Sequence, residues 1–116
     1  MPVFKEKETN PDKISATLKR RITHLKNLMV VVCDFYNGPA PEPDPPHSHP
    51  HEQISYVDEG ELLLFIGEEK HHLTRGDIFA VPSGLPHCIQ TISKNVRLVD
   101  CFTPVREDFL MRKPYH

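Results

Sequence analysis

The segments HSHPHEQ at residues 47–53 and GDIFAVPSGLPH at residues 76–87 decide how this 116-residue chain is read. In the first, His47, His49 and His51 recur at every second position, so on extended backbone they project to one side and can reach a common point. Neutral imidazole binds first-row metals through one ring nitrogen and is their commonest protein ligand. Taken alone, this spacing is equally compatible with a solvated His/Pro loop. The second segment brings a further histidine, His87, at the start of a strand that follows the turn residues Pro82, Ser83 and Gly84.

Around these segments lie short β-type runs: Ala16–Leu25, Leu28–Tyr36, Gln53–Asp58, Glu61–Ile66, Glu69–Leu73, Asp77–Val81, His87–Ile92 and Val96–Thr103. Turn residues separate them, among them Asn37-Gly38, Gly60, Gly67, Gly76 and Lys94-Asn95. Eight close-set strands without a convincing amphipathic helix predict an all-β antiparallel sandwich, barrel or jelly roll. The tail from Val105 is expected to add one helical turn. Six of the 12 prolines fall in the proline-rich loop 39–50, which lacks the N–H groups a central strand needs. It runs into the histidines, so it reads as a stiff loop that delivers ligands.

Composition narrows the partners. With 14 basic against 16 acidic residues and a net charge of -2, no clustered basic surface for nucleic acid is indicated. No apolar run approaches the roughly 20 residues of a membrane span, and the amino terminus has no signal-like segment. A cytoplasmic location and a small ligand are expected. Cys33, Cys88 and Cys101 form no CxxC pair; Cys33 and Cys101 read as buried thiols, and Cys88 should point away from His87.

The two segments resemble the paired motifs of the cupin superfamily. The first cupin motif reads HxH, three or four residues, a carboxylate, six residues and glycine. Here it spans residues 47–60, His47 to Gly60, with Gln53 in the carboxylate position. The second reads glycine, five residues, PxG, two residues and histidine, and spans residues 76–87. The resemblance implies one cupin domain over residues 1–116, an antiparallel jelly-roll barrel, holding one divalent transition metal ion on His47, His49, His87 and Gln53. Glu52 is next door, but strand parity turns it to the opposite face. Gln53 is a neutral oxygen donor, so the ion keeps its full charge and favours anionic ligands. Nickel, zinc, manganese, iron and copper all suit these donors. His51 reads as a spare ligand, a mouth residue or a backbone-bonded loop histidine. His24, His71, His72 and His116 read as surface groups.

The last predicted strand alternates so that Leu98, Asp100 and Phe102 share one face. A carboxylate among apolar residues is costly unless paired or functional; a structural pair with Arg106 is the alternative to a catalytic role. The run from Asp100 to Leu110, with the first motif, is similar to the KdgF-type pectin-degradation proteins within the cupins. That resemblance implies ring opening and ketonisation of 4,5-unsaturated uronates, an isomerase- or lyase-like reaction on a small anionic sugar acid. It assigns catalytic roles to Asp100 and Arg106, and substrate contacts to Phe102 and Arg106. The competing readings are a cupin dioxygenase acting on an enolisable substrate and a non-catalytic small-molecule-binding cupin. A homodimer is expected, through sheet packing or with Ala16–Leu25 as the exposed edge.

Overall fold

Strand alternation shows most clearly at Glu52–Glu59, where Gln53, Ser55 and Val57 are buried while Glu52, Ile54 and Tyr56 are exposed. The computed structural model describes residues 3–111 and contains nine strands. They are β1 (Asp12–Ser15), β2 (Leu18–His24), β3 (Met29–Phe35), β4 (Glu52–Glu59), β5 (Glu61–Ile66), β6 (Glu69–Thr74), β7 (Ile78–Val81), β8 (His87–Thr91) and β9 (Val96–Thr103). A short helix, α1 (Glu107–Met111), follows. Every pairing is antiparallel, in a larger sheet ordered β1-β2-β3-β9-β4-β7 and a smaller one ordered β6-β5-β8. The inner faces enclose Met29, Val31, Val57, Leu62, Val81 and Val96. This is the jelly-roll barrel expected from the sequence.

Seven of the predicted strands are within one residue of the observed ones at either end. The first is not. Ser15 Oγ accepts the Thr17 N–H at 3.1 Å and tightens a turn at residues 16–17, so the expected Ala16–Leu25 strand begins in a turn, keeps only β2 (Leu18–His24), and is preceded by a strand, β1, that the sequence reading did not anticipate. The edge of the larger sheet is therefore β1, and β2 lies inside it.

The proline-rich loop runs along the open side of β8. Ala40 N–H donates to Thr91 O, Asp44 N–H to Ile89 O and His47 N–H to His87 O, each at 3.0 Å. Prolines at 39, 41, 43 and 45 alternate with residues that keep their N–H groups. The loop can thus cover a strand edge on one side while offering no donors on the other. Where β4 crosses to β5, Gly60 has φ +86, and a Cβ there would lie 2.2 Å from the Asn95 carbonyl oxygen. Only glycine fits this corner without movement.

One cysteine expectation changes. Cys33 is buried, as is Cys88, whereas Cys101 sits on the outward face of β9 and is only half-buried. That outward face is apolar over several strands: Val30 and Val32, Val99 and Cys101, Ile54 and Tyr56, Ile78 and Ala80 occupy matching rungs of β3, β9, β4 and β7. His24, His71 and His72 are exposed; His71 and His72 pair with Glu69 and Glu61. His116 lies outside the described residues.

Candidate metal centre

Backbone pairing brings the two motifs together. His47 and His87 exchange hydrogen bonds, N–H to O at 3.0 and 2.9 Å, and Gly84 N–H donates to His49 O at 2.8 Å. The rings converge as a result: His47 and His87 have centroids 4.3 Å apart, and His49 and His87 4.8 Å. One ligand nitrogen from each of these three histidines lies within 4.8 Å of the others. His49 and His87 are buried, while His47 keeps an exposed edge.

The hydrogen-bond partners fix which nitrogen faces inward. His49 Nδ1 lies 3.0 Å from His51 O, and His87 Nδ1 2.9 Å from Leu85 O. A carbonyl only accepts, so both Nδ1 atoms carry the proton and the neutral rings present Nε2 as a lone pair. His47 is likewise bonded to the Pro45 backbone. Burial, followed by the neighbouring His87, His49 and Arg106, lowers the His47 pKa from 6.5 to about 4. Burial also lowers that of His87. The uncharged, metal-binding form is favoured at both.

Gln53, on the inward face of β4, places Oε1 3.1 Å from His49 Nε2. When the His49 ring is in its metal-binding form, with its one proton on Nδ1, these are two lone pairs facing each other, an arrangement that a cation between them relieves. About 3 Å is also the separation of adjacent ligands that each bind an ion at roughly 2.1 Å. His87 Nε2 is buried with no hydrogen-bond partner among the described residues. The donor set fits a divalent cation, and Glu52 is exposed on the opposite face.

Behind Gln53 runs a buried polar chain. Gln53 Nε2 donates to Ser55 Oγ at 2.9 Å, Ser55 Oγ donates to Asp100 Oδ1 at 2.6 Å, and Cys33 Sγ donates to Asp100 Oδ2 at 3.5 Å. Burial raises the Asp100 pKa, opposed by the bonds from Ser55 and Cys33 and by the charges of Arg106 and Arg20. Phe102 is 2% exposed and stands edge-on to His49 at 5.8 Å. Arg106 has its guanidinium 5.2 Å from the Phe102 ring centre and forms its ion pair with Asp108 at 2.7 Å, not with Asp100. His51 bonds the Val105 backbone and stays outside the three-histidine cluster.

Four participants were not singled out from the sequence. Ser55 and Cys33 contact Asp100, and Phe109 of α1 lies between the guanidinium groups of Arg20 and Arg106, each 3.9 Å from its ring centre. The signal for Ser55 and Arg20 was parity: Ser55 follows Gln53 by two on β4, and Arg20 alternates with the half-buried Leu18 and Ile22 on β2.

A family profile described as the cupin domain matches residues 39–102. The pectin degradation protein KdgF of Dickeya dadantii is 33% identical over 109 residues, covering 92% of this chain and 96% of that protein. The structure of KdgF from a Halomonas species superposes with a TM-score of 0.84 at 29% identity, over 93% of this chain and 99% of the other. An RmlC-like cupin from Shewanella frigidimarina superposes with a TM-score of 0.82 at 34% identity, over 91% and 93% of the two chains. The motifs, the barrel and these matches lead to one conclusion: the chain belongs to the cupin family and within it is similar to KdgF.

Proposed function

We propose that this cupin is a metal-dependent enzyme that opens and ketonises 4,5-unsaturated uronates, the sugar acids produced when polysaccharide lyases cut pectin- or alginate-type chains. The observation that carries this reading is the three-histidine, one-glutamine donor set with a buried carboxylate, Asp100, one serine behind it and Arg106 at its rim. The similarity to a pectin degradation protein over nearly the whole chain supports it.

The reaction is an isomerisation. The anomeric hydroxyl gives up its proton and C1 becomes an aldehyde as its bond to the ring oxygen breaks. The ring oxygen and the C4=C5 bond are left as an enolate, which takes a proton at C4 to become a ketone beside a methylene. No atom is gained or lost. A divalent cation held by His47, His49, His87 and Gln53 would supply a Lewis acid for the negative charge that develops in the reaction; nickel, zinc, manganese, iron and copper all suit these donors. Arg106 binds the carboxylate in a charge-assisted pair, taking it in place of Asp108. Asp100, whose pKa burial raises, moves the proton between the anomeric oxygen and C4. Phe102 backs the pocket wall against which the sugar ring packs.

The assay follows the ultraviolet absorbance of a lyase-generated unsaturated monouronate with metal-loaded protein. Faster loss of signal with wild type than with Asp100→Asn or Arg106→Ala is the expected result. A wild-type rate equal to the protein-free rate, with each of the five metals loaded in turn, refutes the uronate assignment. The same reading makes the chain a single-domain cytoplasmic homodimer. Its contact is assigned to a second copy of the apolar outward face of β3, β9, β4 and β7, a patch that can meet itself across a two-fold axis.

A further inference from the structure

Gln53 differs from a carboxylate ligand in one respect that matters here: its two ends are not equivalent. Only Oε1 can donate a lone pair to a cation, and an amide turned the other way presents two N–H groups to it. Something must choose the end, and the choice is visible in the residues behind the amide.

Asp100 has a donor on each oxygen, Ser55 Oγ at 2.6 Å and Cys33 Sγ at 3.5 Å. The single hydroxyl hydrogen of Ser55 is therefore committed to Asp100. What Ser55 offers toward Gln53 is a lone pair, which accepts an N–H and repels an oxygen. Gln53 Nε2 sits 2.9 Å from Ser55 Oγ, and Oε1 points the opposite way, toward His49 Nε2. Without this constraint the reverse orientation would be preferred in the metal-free protein. Gln53 would then donate an N–H to the lone pair on His49 Nε2, making a hydrogen bond where the observed arrangement has two acceptors face to face.

We infer that Ser55 is a positioning residue for the metal centre, which with Asp100 behind it holds the Gln53 side-chain carbonyl toward the cation. This inference rests on the metal-centre reading, and it is independent of which substrate the site takes. Ser55 touches neither substrate nor metal; it is fully buried, with 0% exposure.

The test uses cobalt(II), titrated into metal-free full-length protein against a competing chelator, with the visible absorption of the bound ion recorded at saturation. Four proteins are compared: wild type, Ser55→Ala, Gln53→Glu and the double variant. Partners that orient metal ligands are worth about 10- to 100-fold in affinity, so Ser55→Ala is expected to weaken cobalt binding by about that factor and to alter its spectrum. In the Gln53→Glu background the orientation problem disappears, because both carboxylate ends are oxygens. There Ser55→Ala should leave affinity unchanged or raise it, since it removes a lone pair facing the second carboxylate oxygen.

Equal losses in both backgrounds would assign Ser55 a merely structural role and overturn the inference, as would unchanged affinity and spectrum for Ser55→Ala alone. A wild-type protein that takes up no cobalt overturns the metal centre and this role with it. Substrate turnover failing while cobalt behaves as expected sinks only the uronate reading. Should Ser55→Ala not fold, Asp100→Asn serves instead. Its amide can donate to Ser55 Oγ and release the hydroxyl hydrogen toward position 53, so it should weaken cobalt binding with glutamine there and strengthen it with glutamate.

Discussion

Replacing Gly60 by alanine, beside the same change at Gly76, separates two costs that both motif glycines are spared. Gly76 has φ +96 with nothing within 4 Å of a built Cβ, and Gly60 has φ +86 with the Asn95 carbonyl oxygen 2.2 Å away. At Gly76 the alanine carries only the conformational penalty of the left-handed region, about 1–2 kcal/mol. At Gly60 the same penalty applies, and Asn95 must also retreat. Ordinary contact begins at 3.4 Å, so the movement needed is 3.4 minus 2.2, or about 1.2 Å. That displacement strains the bonds from Glu61 N–H to Ser93 Oγ and from Ser93 Oγ to Asn95 O, both 2.9 Å long. Each is worth about 1 kcal/mol, which brings the Gly60→Ala total to about 3–4 kcal/mol. At about 4 °C per kcal/mol for a chain of this length, Tm should fall by about 12–16 °C for Gly60→Ala and about 4–8 °C for Gly76→Ala. The assay is thermal unfolding by circular dichroism after chelator treatment, so that bound metal does not mask the difference. Equal shifts for the two variants would refute the steric part of the reasoning. A shift below about 2 °C for Gly60→Ala would refute all of it.

Two further outcomes follow from the site and the surface. Because the folded-state pKa of His47 is lowered from 6.5 to about 4, the unfolded chain binds a proton in that window that the folded chain refuses. Metal-free wild type should therefore lose stability as pH falls from 6.5 toward 4 and stay level with respect to this group above 6.5. Asp100, with a raised pKa, acts in the opposite direction, so the readout is the difference from His47→Gln in urea unfolding; identical pH slopes for the two proteins would contradict the assignment. At the surface, Ile54 is 56% exposed at the centre of the apolar outward rungs, and Ile54→Lys should convert a dimer into a folded monomer. Sedimentation velocity decides, and a monomeric wild type at tens of micromolar rules out the dimer.

Alternation and spacing made the barrel readable because a strand's period of two ties burial to parity. The same rule places Gln53 and Asp100 inside and Glu52 outside from the sequence alone. What parity cannot show is which strands are neighbours. Asp100 and Ser55 face each other because β9 lies between β3 and β4, a crossover that no local pattern in either strand encodes. The hairpin at residues 16–17 was missed for a different reason: it turns on a serine side chain and has no glycine or proline to mark it. In the proline-rich loop, the residue type announced a stiff segment. That the prolines alternate with usable N–H groups, and so suit the loop to covering β8, becomes meaningful only when β8 is known to have an open side.

The partners of Gln53 carry the argument back to the sequence. A carboxylate in this position would bind a cation with either oxygen, and its surroundings would need only to tolerate it. A glutamine demands an oriented neighbour on its own side of the strand, within reach of the amide nitrogen, whose hydroxyl hydrogen is already engaged elsewhere. Position 55 is where β4 first returns to that face, and it is a serine; across the ladder, its partner on β9 is Asp100. The neutral ligand is thus tied by hydrogen bonds to two other buried polar residues, directly to Ser55 and through it to Asp100. Placing glutamate at position 53 alone sets a carboxylate oxygen against the Ser55 lone pair, with Asp100 behind it. The single change Gln53→Glu should therefore gain less affinity for a divalent cation than the added charge implies, and the double change Gln53→Glu with Ser55→Ala should recover the rest.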